Sequence, residues 1–204
     1  MYYSQFEQDK FVNETFFKNK KNGFFVDIGA HNGEEFSNSL FFENLGWDGI
    51  CIEPNPKVFK ELNSKRKCLC IQKAISNEKG TSQFFQITEG PDMLSGLVDD
   101  FTQKHIKRIH NELDNVPSDF EYIDVETDTL KNILQNRKKI DLLSLDTEGN
   151  EMKILQTINF DEFDIDVIVL ENNDYDDKFV KYLSSKNYSP ITRLGCDEVY
   201  KKNT

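Results

Sequence analysis

Short apolar runs alternate along the chain with segments whose apolar residues recur at helical spacing. Continuous apolar runs bounded by glycine, proline or polar residues predict buried strands. Such runs occupy residues 24–28, 49–53, 68–75, 140–145 and 166–170. Helical spacing predicts helices over residues 36–45, 57–66, 129–136 and 179–186, and one through Met152, Ile154 and Leu155.

This order of elements predicts an α/β fold built on a mostly parallel sheet with helices on both faces. Near-continuous apolar strands are typical of sheets that are buried on both sides. Further strands are predicted at residues 81–87 and 122–125, and residues 191–194 and 198–201 are spaced to form a terminal hairpin. Ligands of such sheets bind beyond the carboxyl ends of the strands, so functional residues are expected directly after the apolar runs.

Residues 89–119 interrupt the alternation. They begin with Gly90 and Pro91, which are loop signals, and continue into a charged, helix-like segment over residues 97–113. Long connections in compact domains often cover a functional site. We interpret residues 89–119 as an acceptor lid within a single domain that spans residues 1–204, because 204 residues have room for only one catalytic domain.

Charge and composition narrow the choice of partners. The formal net charge is -11, from 25 basic and 36 acidic residues. This balance opposes broad contact with nucleic-acid phosphates or anionic membranes, which attract a surplus of Lys and Arg. The chain starts without a secretory pattern, and no apolar run approaches the ~20 residues of a membrane span. We expect a soluble, cytoplasmic protein with small-molecule partners.

The cysteines and two of the histidines carry no predicted chemistry. Cys51, Cys68 and Cys70 lie in apolar runs, where a reduced thiol acts as a small core residue. The four cysteines form no CxxC pair. His105 and His110 have Lys and Arg neighbours, which favours a solvated surface position for both.

The first candidate site follows the strand at residues 24–28. Asp27 lies inside the end of the apolar run, and Gly29 and Gly33 follow at a spacing of four before the next helix. Glycines allow a ligand to approach the backbone closely at a helix N-terminus. An ordinary strand-to-helix turn would explain the glycines alone. Asp27 favours a binding site, because an acid within an apolar strand needs a partner when it is buried.

Glu53 marks the end of the next strand. It lies 20 residues after Gly33, where nucleoside-binding α/β folds hold a ribose diol by bidentate hydrogen bonds. The glycine turn and this acid together predict a ligand that contains a nucleoside.

Acidic and amide residues also follow the strands at residues 140–145 and 166–170. Asp146 follows the first, and Glu171 and Asn172 follow the second. Oxygen ligands from two neighbouring strand ends suit a hard cation such as Mg²⁺, Mn²⁺ or Ca²⁺. For Glu148 and Glu151, helix capping is the alternative, because acids favour the first turn of a helix.

Five segments in this order resemble the FkbM family of S-adenosylmethionine-dependent methyltransferases. They are Ser4-Gln5 with Gln8-Asp9, residues 25–33, residues 52–56, residues 73–76 and residues 145–151. The resemblance implies a Rossmann-like methyltransferase sheet of seven strands, mostly parallel with an antiparallel last strand. That expectation agrees with the predicted C-terminal hairpin.

The resemblance also implies a set of cofactor-binding residues. These are Gln8, Asp9, Asp27, Gly29, Ala30, Gly33, Glu53, Pro54, Ala74, Ile75 and Asp146. In such an enzyme the glycine turn would hold the methionine part of S-adenosylmethionine, Glu53 would take the ribose hydroxyls, and Ala74 and Ile75 would lie against adenine. The N-terminal segment, residues 1–22, would close over the site through Gln8 and Asp9.

A second resemblance concerns a metal. Asp146, Glu171 and Asn172 are similar to the Mg²⁺ ligands of cation-dependent O-methyltransferases of the catechol type, with Glu171 in place of the usual aspartate. It implies Mg²⁺ or Mn²⁺ as a further cofactor.

The reaction expected from these residues is transfer of a sulfonium methyl group to a hydroxyl oxygen. Such an oxygen needs a cation or a base to make it nucleophilic. The candidate bases are, in order, Glu148, His31 and Asp174, and His31 could instead be a loop histidine. Asp92 and Ser95, near the start of the lid, are predicted to contact the acceptor.

Carboxylates and amides are groups that bind polyols, and the resemblance also suggests a sugar hydroxyl of a glycan or glycoside as the acceptor. Two other interpretations remain open at this point. One is a methyltransferase acting on a nucleic-acid cap or ribose, which the acidic charge opposes. The other is a non-catalytic module of the same fold that binds a nucleoside or a glycan.

Overall fold

The chain folds into a large sheet and a small sheet, described over residues 1–203 by a computed structural model. The strands are β1 (Phe24–Ile28), β2 (Asp48–Ile52), β3 (Leu69–Ile71), β4 (Ala74–Ile75), β5 (Gly80–Glu89), β6 (Gly96–Leu97), β7 (Asp119–Asp128), β8 (Lys139–Leu145), β9 (Asp164–Glu171), β10 (Tyr188–Leu194) and β11 (Asp197–Lys202). The α-helices are α1 (Gln8–Val12), α2 (Leu40–Asn44), α3 (Pro56–Lys65), α4 (Gln103–Leu113), α5 (Leu130–Leu134), α6 (Glu151–Thr157) and α7 (Lys178–Ser184). A π-helical turn, Asn13–Phe17, continues α1, and 3₁₀ turns occupy Asp92–Leu94 and Val98–Asp100.

The large sheet has seven strands in the order β10-β11-β9-β8-β1-β2-β3. β3, β2, β1, β8 and β9 pair in parallel, and β11 runs antiparallel to both β9 and β10. The last strand is therefore antiparallel, and the predicted mostly parallel sheet of seven strands is confirmed. Strands β1, β2, β8 and β9 end at the same edge of the sheet, which is where the predicted site residues follow.

Helices cover both faces of the large sheet, as predicted. Alternate residues of a strand point to opposite faces, and in β1 Val26 contributes to one apolar cluster while Phe25 contributes to the other. The Val26 cluster includes residues of α5, α6 and α7. The Phe25 cluster includes Phe42 of α2 and Leu62 of α3.

The small sheet, in the order β4-β7-β5-β6, is a second layer that the sequence did not predict. Its main part is a long antiparallel ribbon of β5 and β7. Phe84 and Val125 face an inner cluster with Ala74 and Leu97, whereas Phe85 and Ile87 face an outer cluster that includes Ile109 of α4. The segment 89–119 is therefore packed on the small sheet through α4.

The N-terminal segment crosses the edge where the parallel strands end. Ser4 forms an isolated parallel bridge with Phe36. Farther along, the Phe6 ring lies against Gly195 in the β10–β11 turn, where an added Cβ would come within 2.2 Å of the ring. These contacts connect both ends of the chain at this edge.

Two predicted elements differ from the structure. The helix expected over residues 36–45 forms only over Leu40–Asn44, because Phe36 takes a positive φ of 55° in its bridge with Ser4. The strand expected over residues 68–75 is divided, since residues 72 and 73 leave the large sheet and β4 joins the small one.

The structure also shows the state of the cysteines and whether any helix is long and apolar enough to span a membrane. All four cysteines are free thiols, and Cys51 is buried within the core. No helix within residues 1–203 combines the length and apolarity that crossing a bilayer requires.

Candidate active site

A cavity of about 200 Å³, the main cavity, opens where β1, β2, β8 and β9 end. Predicted site residues from all four strand ends line it. They are Asp27, Gly29, Ala30, His31, Glu53, Pro54, Ala74, Ile75, Asp92, Ser95, Asp146, Glu148 and Glu171. The structure thus brings together most of the residues that the sequence singled out, from positions far apart in the chain.

The two glycines in the turn after β1 are required for different reasons. Gly29 has φ 84°, and a Cβ there would lie 1.6 Å from the carbonyl oxygen of Asp146, so only glycine fits between β1 and β8. Gly33 has φ 80° and faces α3, where a Cβ would meet Leu62 at 2.6 Å. Gly33 does not line the main cavity and serves the packing of the turn.

Asp27 is buried in β1, and polar side chains hold its carboxylate in place. Ser39 donates its hydroxyl to the Asp27 carboxylate. The buried Arg66 guanidinium donates to Ser39 Oγ at 2.9 Å and to the Gly33 carbonyl oxygen at 3.1 Å, and pairs with Glu43 at 2.6 Å. Burial raises the pKa of Asp27, and Arg66 and Ser39 act against that rise.

Glu53 is fixed by the backbone. Its Oε1 accepts the N–H of Asn55 at 2.8 Å and its Oε2 accepts the N–H of His31 at 3.0 Å, with 7% of the residue exposed. Burial raises the pKa of Glu53 to about 7. A carboxylate has about four lone-pair sites, so two remain available for the hydroxyls of a diol.

The N-terminal residues predicted to bind the cofactor do not line the main cavity. Gln8 Nε2 donates to Asp197 Oδ2 at 2.8 Å, and Asp9 accepts from the Tyr3 N–H and the Ser4 hydroxyl, each at 2.6 Å. Gln8 therefore fastens the N-terminal segment to β11, whereas Asp9 holds the turn within that segment. Gln5 is the residue of this segment that reaches the cavity.

Three carboxylates meet at the other end of the main cavity. We call Asp146, Glu148 and Glu171 the acid cluster, because one oxygen from each lies within 4.8 Å of the others. Glu148 adopts a positive φ of 56°, and Gly149 follows at 121°, which turns the chain sharply after β8. Backbone strain of this kind often accompanies a functional position.

Burial and mutual repulsion raise the pKa of every member of the acid cluster. The pKa of Glu148 rises to about 8 and that of Glu171 to about 9, with burial as the largest cause in both. The pKa of Asp146 is raised well above its ordinary value although its side chain has solvent access, because the cavity walls and Glu171 surround it. This set of hard oxygen donors with excess negative charge fits a divalent cation.

Asn172, the third predicted metal ligand, directs its amide nitrogen to other partners. Its Nδ2 donates to Glu198 Oε1 at 3.0 Å and to the Asp176 carbonyl oxygen at 2.9 Å. Its Oδ1 is buried without a hydrogen-bond partner.

The three candidate bases occupy different places. Glu148 belongs to the acid cluster, whereas His31 lies beside Glu53, with its Nε2 3.2 Å from Asp92 Oδ1. Asp174 lies outside the main cavity, paired with Lys178 at 3.0 Å and Lys104 at 3.1 Å, and these hydrogen bonds lower its pKa. Only Glu148 combines a position at the acid cluster with a raised pKa.

The two predicted acceptor contacts line the main cavity but are already engaged. Asp92 pairs with His31 and lies 3.8 Å from Lys57 Nζ. Ser95 Oγ donates to the Asp92 carbonyl oxygen at 2.7 Å and accepts the Ile87 N–H at 3.0 Å. These contacts hold the start of the 89–119 segment against the turn after β1.

Two residues at the acid cluster are not among those that the sequence pattern indicates. Arg108 Nη1 donates to Glu148 Oε2 at 2.9 Å, and His105 Nδ1 lies 3.6 Å from the same oxygen. The prediction of a solvated His105 was wrong: it is 8% exposed, because its face of α4 turns toward the sheet. The i, i+3 spacing of the two residues on an amphipathic helix was the available signal. His110 is exposed, as predicted.

Comparisons with known proteins agree with this arrangement. A family model described as the methyltransferase FkbM domain matches residues 27–190, which contain β1 through the start of β10. No curated protein matches the chain. The match covers most of the sequence and all four strand ends that form the cavity, so the chain belongs to the FkbM family of methyltransferases.

Proposed function

We propose that this protein is an S-adenosylmethionine-dependent O-methyltransferase that acts on a sugar hydroxyl of a glycan or glycoside with the help of a divalent cation. The observation that carries the proposal is Glu53, a buried carboxylate oriented by two backbone N–H donors beside the turn at Gly29. Preorganised acceptors of this kind suit the two adjacent hydroxyls of a ribose.

The remaining cofactor contacts follow from the lining of the main cavity. Ala74 and Ile75, together with Phe84 and Leu97, offer an apolar surface for adenine. Asp27 and the backbone after β1 would hold the methionine part, with Arg66 and Ser39 keeping Asp27 in place. The excess of carboxylates in the cavity favours a cationic ligand.

When bound, S-adenosylmethionine supplies a methyl group on a positively charged sulfur, which keeps the bonding electron pair when an oxygen attacks the methyl carbon. The protein then has to align the acceptor oxygen and remove its proton. Glu148 is the base in our proposal, since it belongs to the acid cluster and its carboxylate, once deprotonated beside the cation, can take the hydroxyl proton. Asp146 and Glu171 would hold Mg²⁺ or Mn²⁺, which would lower the pKa of the hydroxyl.

The test has two parts. Titration calorimetry with S-adenosylmethionine checks the cofactor, and we expect one site. Mass spectrometry of a glycan panel incubated with protein, labelled cofactor and Mg²⁺ checks the acceptor, and we expect a mass gain of one labelled methyl group. Absence of cofactor heat would contradict the proposal, whereas cofactor binding with labelled RNA but no labelled glycan would favour the nucleic-acid alternative.

A further inference from the structure

A second cavity adjoins the main cavity at the acid cluster. This side cavity, of about 150 Å³, lies between the start of α4, the loop after β9 and the start of α7. It shares Arg108, Glu148 and Glu171 with the main cavity. The two volumes are similar, so the side cavity has room for a molecule and not only for a single water.

Two residues that line the side cavity each contain a buried polar atom without a hydrogen-bond partner. Asn172 is 1% exposed and its Oδ1 has no hydrogen-bond partner, and His105 is 8% exposed with an unpartnered Nε2. Burial lowers the pKa of His105, which favours the neutral ring with one donor and one acceptor nitrogen. Buried polar groups without partners are costly and usually mark the place of a ligand or an ordered water.

Charged side chains of both signs line the rest of this cavity, three of them cationic and four acidic: Lys104, Arg108 and Lys178, and Glu148, Glu151, Glu171 and Asp174. Asp174 is held between Lys104 of α4 and Lys178 of α7, which joins the 89–119 segment to the body of the protein at this point. Asn173 adds an amide, and its carbonyl oxygen accepts from Lys104 Nζ at 3.0 Å. The cavity therefore offers both donors and acceptors and has no excess of cations that would select an anion.

We propose that the side cavity is the acceptor site and that it binds a neutral polyhydroxy ring, a proposal that rests on the methyl transfer proposed above. A ligand seated there reaches the acid cluster without crossing the main cavity, so cofactor and acceptor approach Glu148 from separate spaces. In-line transfer needs such separate approaches, because the attacking oxygen and the leaving sulfur lie on opposite sides of the methyl carbon. Asp92 and Ser95, in contrast, line only the main cavity and are already hydrogen-bonded.

The experiment fills the side cavity and leaves the main cavity alone. Asn173→Trp places a large ring at the half-exposed loop position in the cavity wall. The matched control is Gln156→Trp, which adds the same ring to an exposed position of α6 that borders a separate polar cavity. Saturation-transfer NMR with a mixture of methyl hexopyranosides, with and without S-adenosylhomocysteine, measures acceptor binding, and calorimetry measures S-adenosylhomocysteine binding.

We expect glycoside saturation in the wild type and in Gln156→Trp, and a loss of about tenfold or more in Asn173→Trp. The affinity for S-adenosylhomocysteine should stay within about twofold in all three proteins. Thermal unfolding checks that each variant is folded. If Asn173→Trp does not fold, Lys104→Glu, at an exposed position beside Asp174, replaces it and should weaken glycoside saturation severalfold.

The outcomes separate the two proposals. Equal glycoside saturation in Asn173→Trp and wild type would overturn the acceptor site, as would wild-type protein that binds S-adenosylhomocysteine but no glycoside. Glycoside saturation that Asn173→Trp abolishes, in a protein that does not bind S-adenosylhomocysteine, would keep the polyol site and overturn the proposed methyl transfer.

Discussion

The two walls of the main cavity are built in opposite ways. On the wall formed by β1 and β2, two backbone N–H groups orient the Glu53 carboxylate before any ligand binds. On the wall formed by β8 and β9, the acid cluster receives no backbone donor within residues 1–203, and only Arg108 donates to it at a normal hydrogen-bond distance. The fold itself orients the acid of the first wall, whereas the acids of the second wall need more positive charge than Arg108 supplies.

The two walls therefore differ in how they affect the stability of the protein before a ligand binds. Backbone donors are fixed by the fold and cost nothing further when a ligand binds. Clustered carboxylates reduce the stability of the free protein, and a bound cation would restore it.

The largest change in the free energy of unfolding is expected at Gly29, where β1 contacts β8. Gly29→Ala would place a Cβ 1.6 Å from the Asp146 carbonyl oxygen, at a backbone conformation that alanine disfavours. We expect it to lower the free energy of unfolding by at least about 4 kcal/mol, because β1 and β8 would have to separate. Urea unfolding measures this.

Gly46→Ala is the control for that change. Gly46 also has a positive φ, 102°, but an added Cβ meets nothing within 4 Å. It should cost about 1–2 kcal/mol from backbone strain alone. Equal losses in the two variants would mean that contact between the walls contributes nothing.

The second prediction concerns the acid cluster in metal-free buffer. The pKa of Glu171 is about 9 in the folded protein, against 4.5 for the ordinary group, so the folded state retains a proton that the unfolded chain releases. Its contribution to stability is complete below about pH 4.5 and is lost as the pH rises through about 9. Glu171→Gln should therefore raise the free energy of unfolding by about 3 kcal/mol at pH 9 and by almost nothing at pH 4.

Urea unfolding at both pH values, with a chelator present, measures this effect. Glu121→Gln, at an exposed position of β7, is the control and should show little difference between the two pH values. A gain from Glu171→Gln of the same size at pH 4 and pH 9 would rule out charge as its cause.

The two walls also show which features of the fold and the site can be predicted from the sequence and which cannot. The apolar runs of β1, β2, β8 and β9 and the residues after them depend on local pattern, so both the sheet and most of the cavity lining were predictable. The contact of Arg108 and His105 with Glu148 depends on how α4 packs on the small sheet, and no local pattern specifies that packing. His105 is predicted at the surface for this reason. Gln8 and Asp9 are expected to close over the site and bind the cofactor, but neither lines the main cavity, because their side chains bond to Asp197 and within the N-terminal segment.

The third prediction concerns Glu53, on the wall formed by β1 and β2. Glu53→Ala removes the carboxylate that would receive the ribose hydroxyls, and it should weaken S-adenosylmethionine binding by about 1–3 kcal/mol. The acid cluster is separate, so stabilisation by Mg²⁺ should not change. Calorimetry measures the first quantity, and thermal unfolding with and without Mg²⁺ measures the second. Unchanged cofactor affinity would refute the ribose assignment.

The smallest effect is expected at the single cation that the fold itself supplies to the acid cluster. Arg108 has 38% of its side chain exposed, so solvent screens its pair with Glu148, and Arg108→Gln should change the free energy of unfolding by less than about 1 kcal/mol. Its effect on metal binding should be clearer, because a guanidinium at Glu148 repels a divalent cation at the same carboxylates. The Mg²⁺ concentration that gives half of the thermal stabilisation should fall severalfold in Arg108→Gln and much less in Arg108→Lys, which keeps the charge. An unchanged Mg²⁺ midpoint in both variants would mean that Arg108 and the cation do not compete, and that the second wall is already neutralised by the fold.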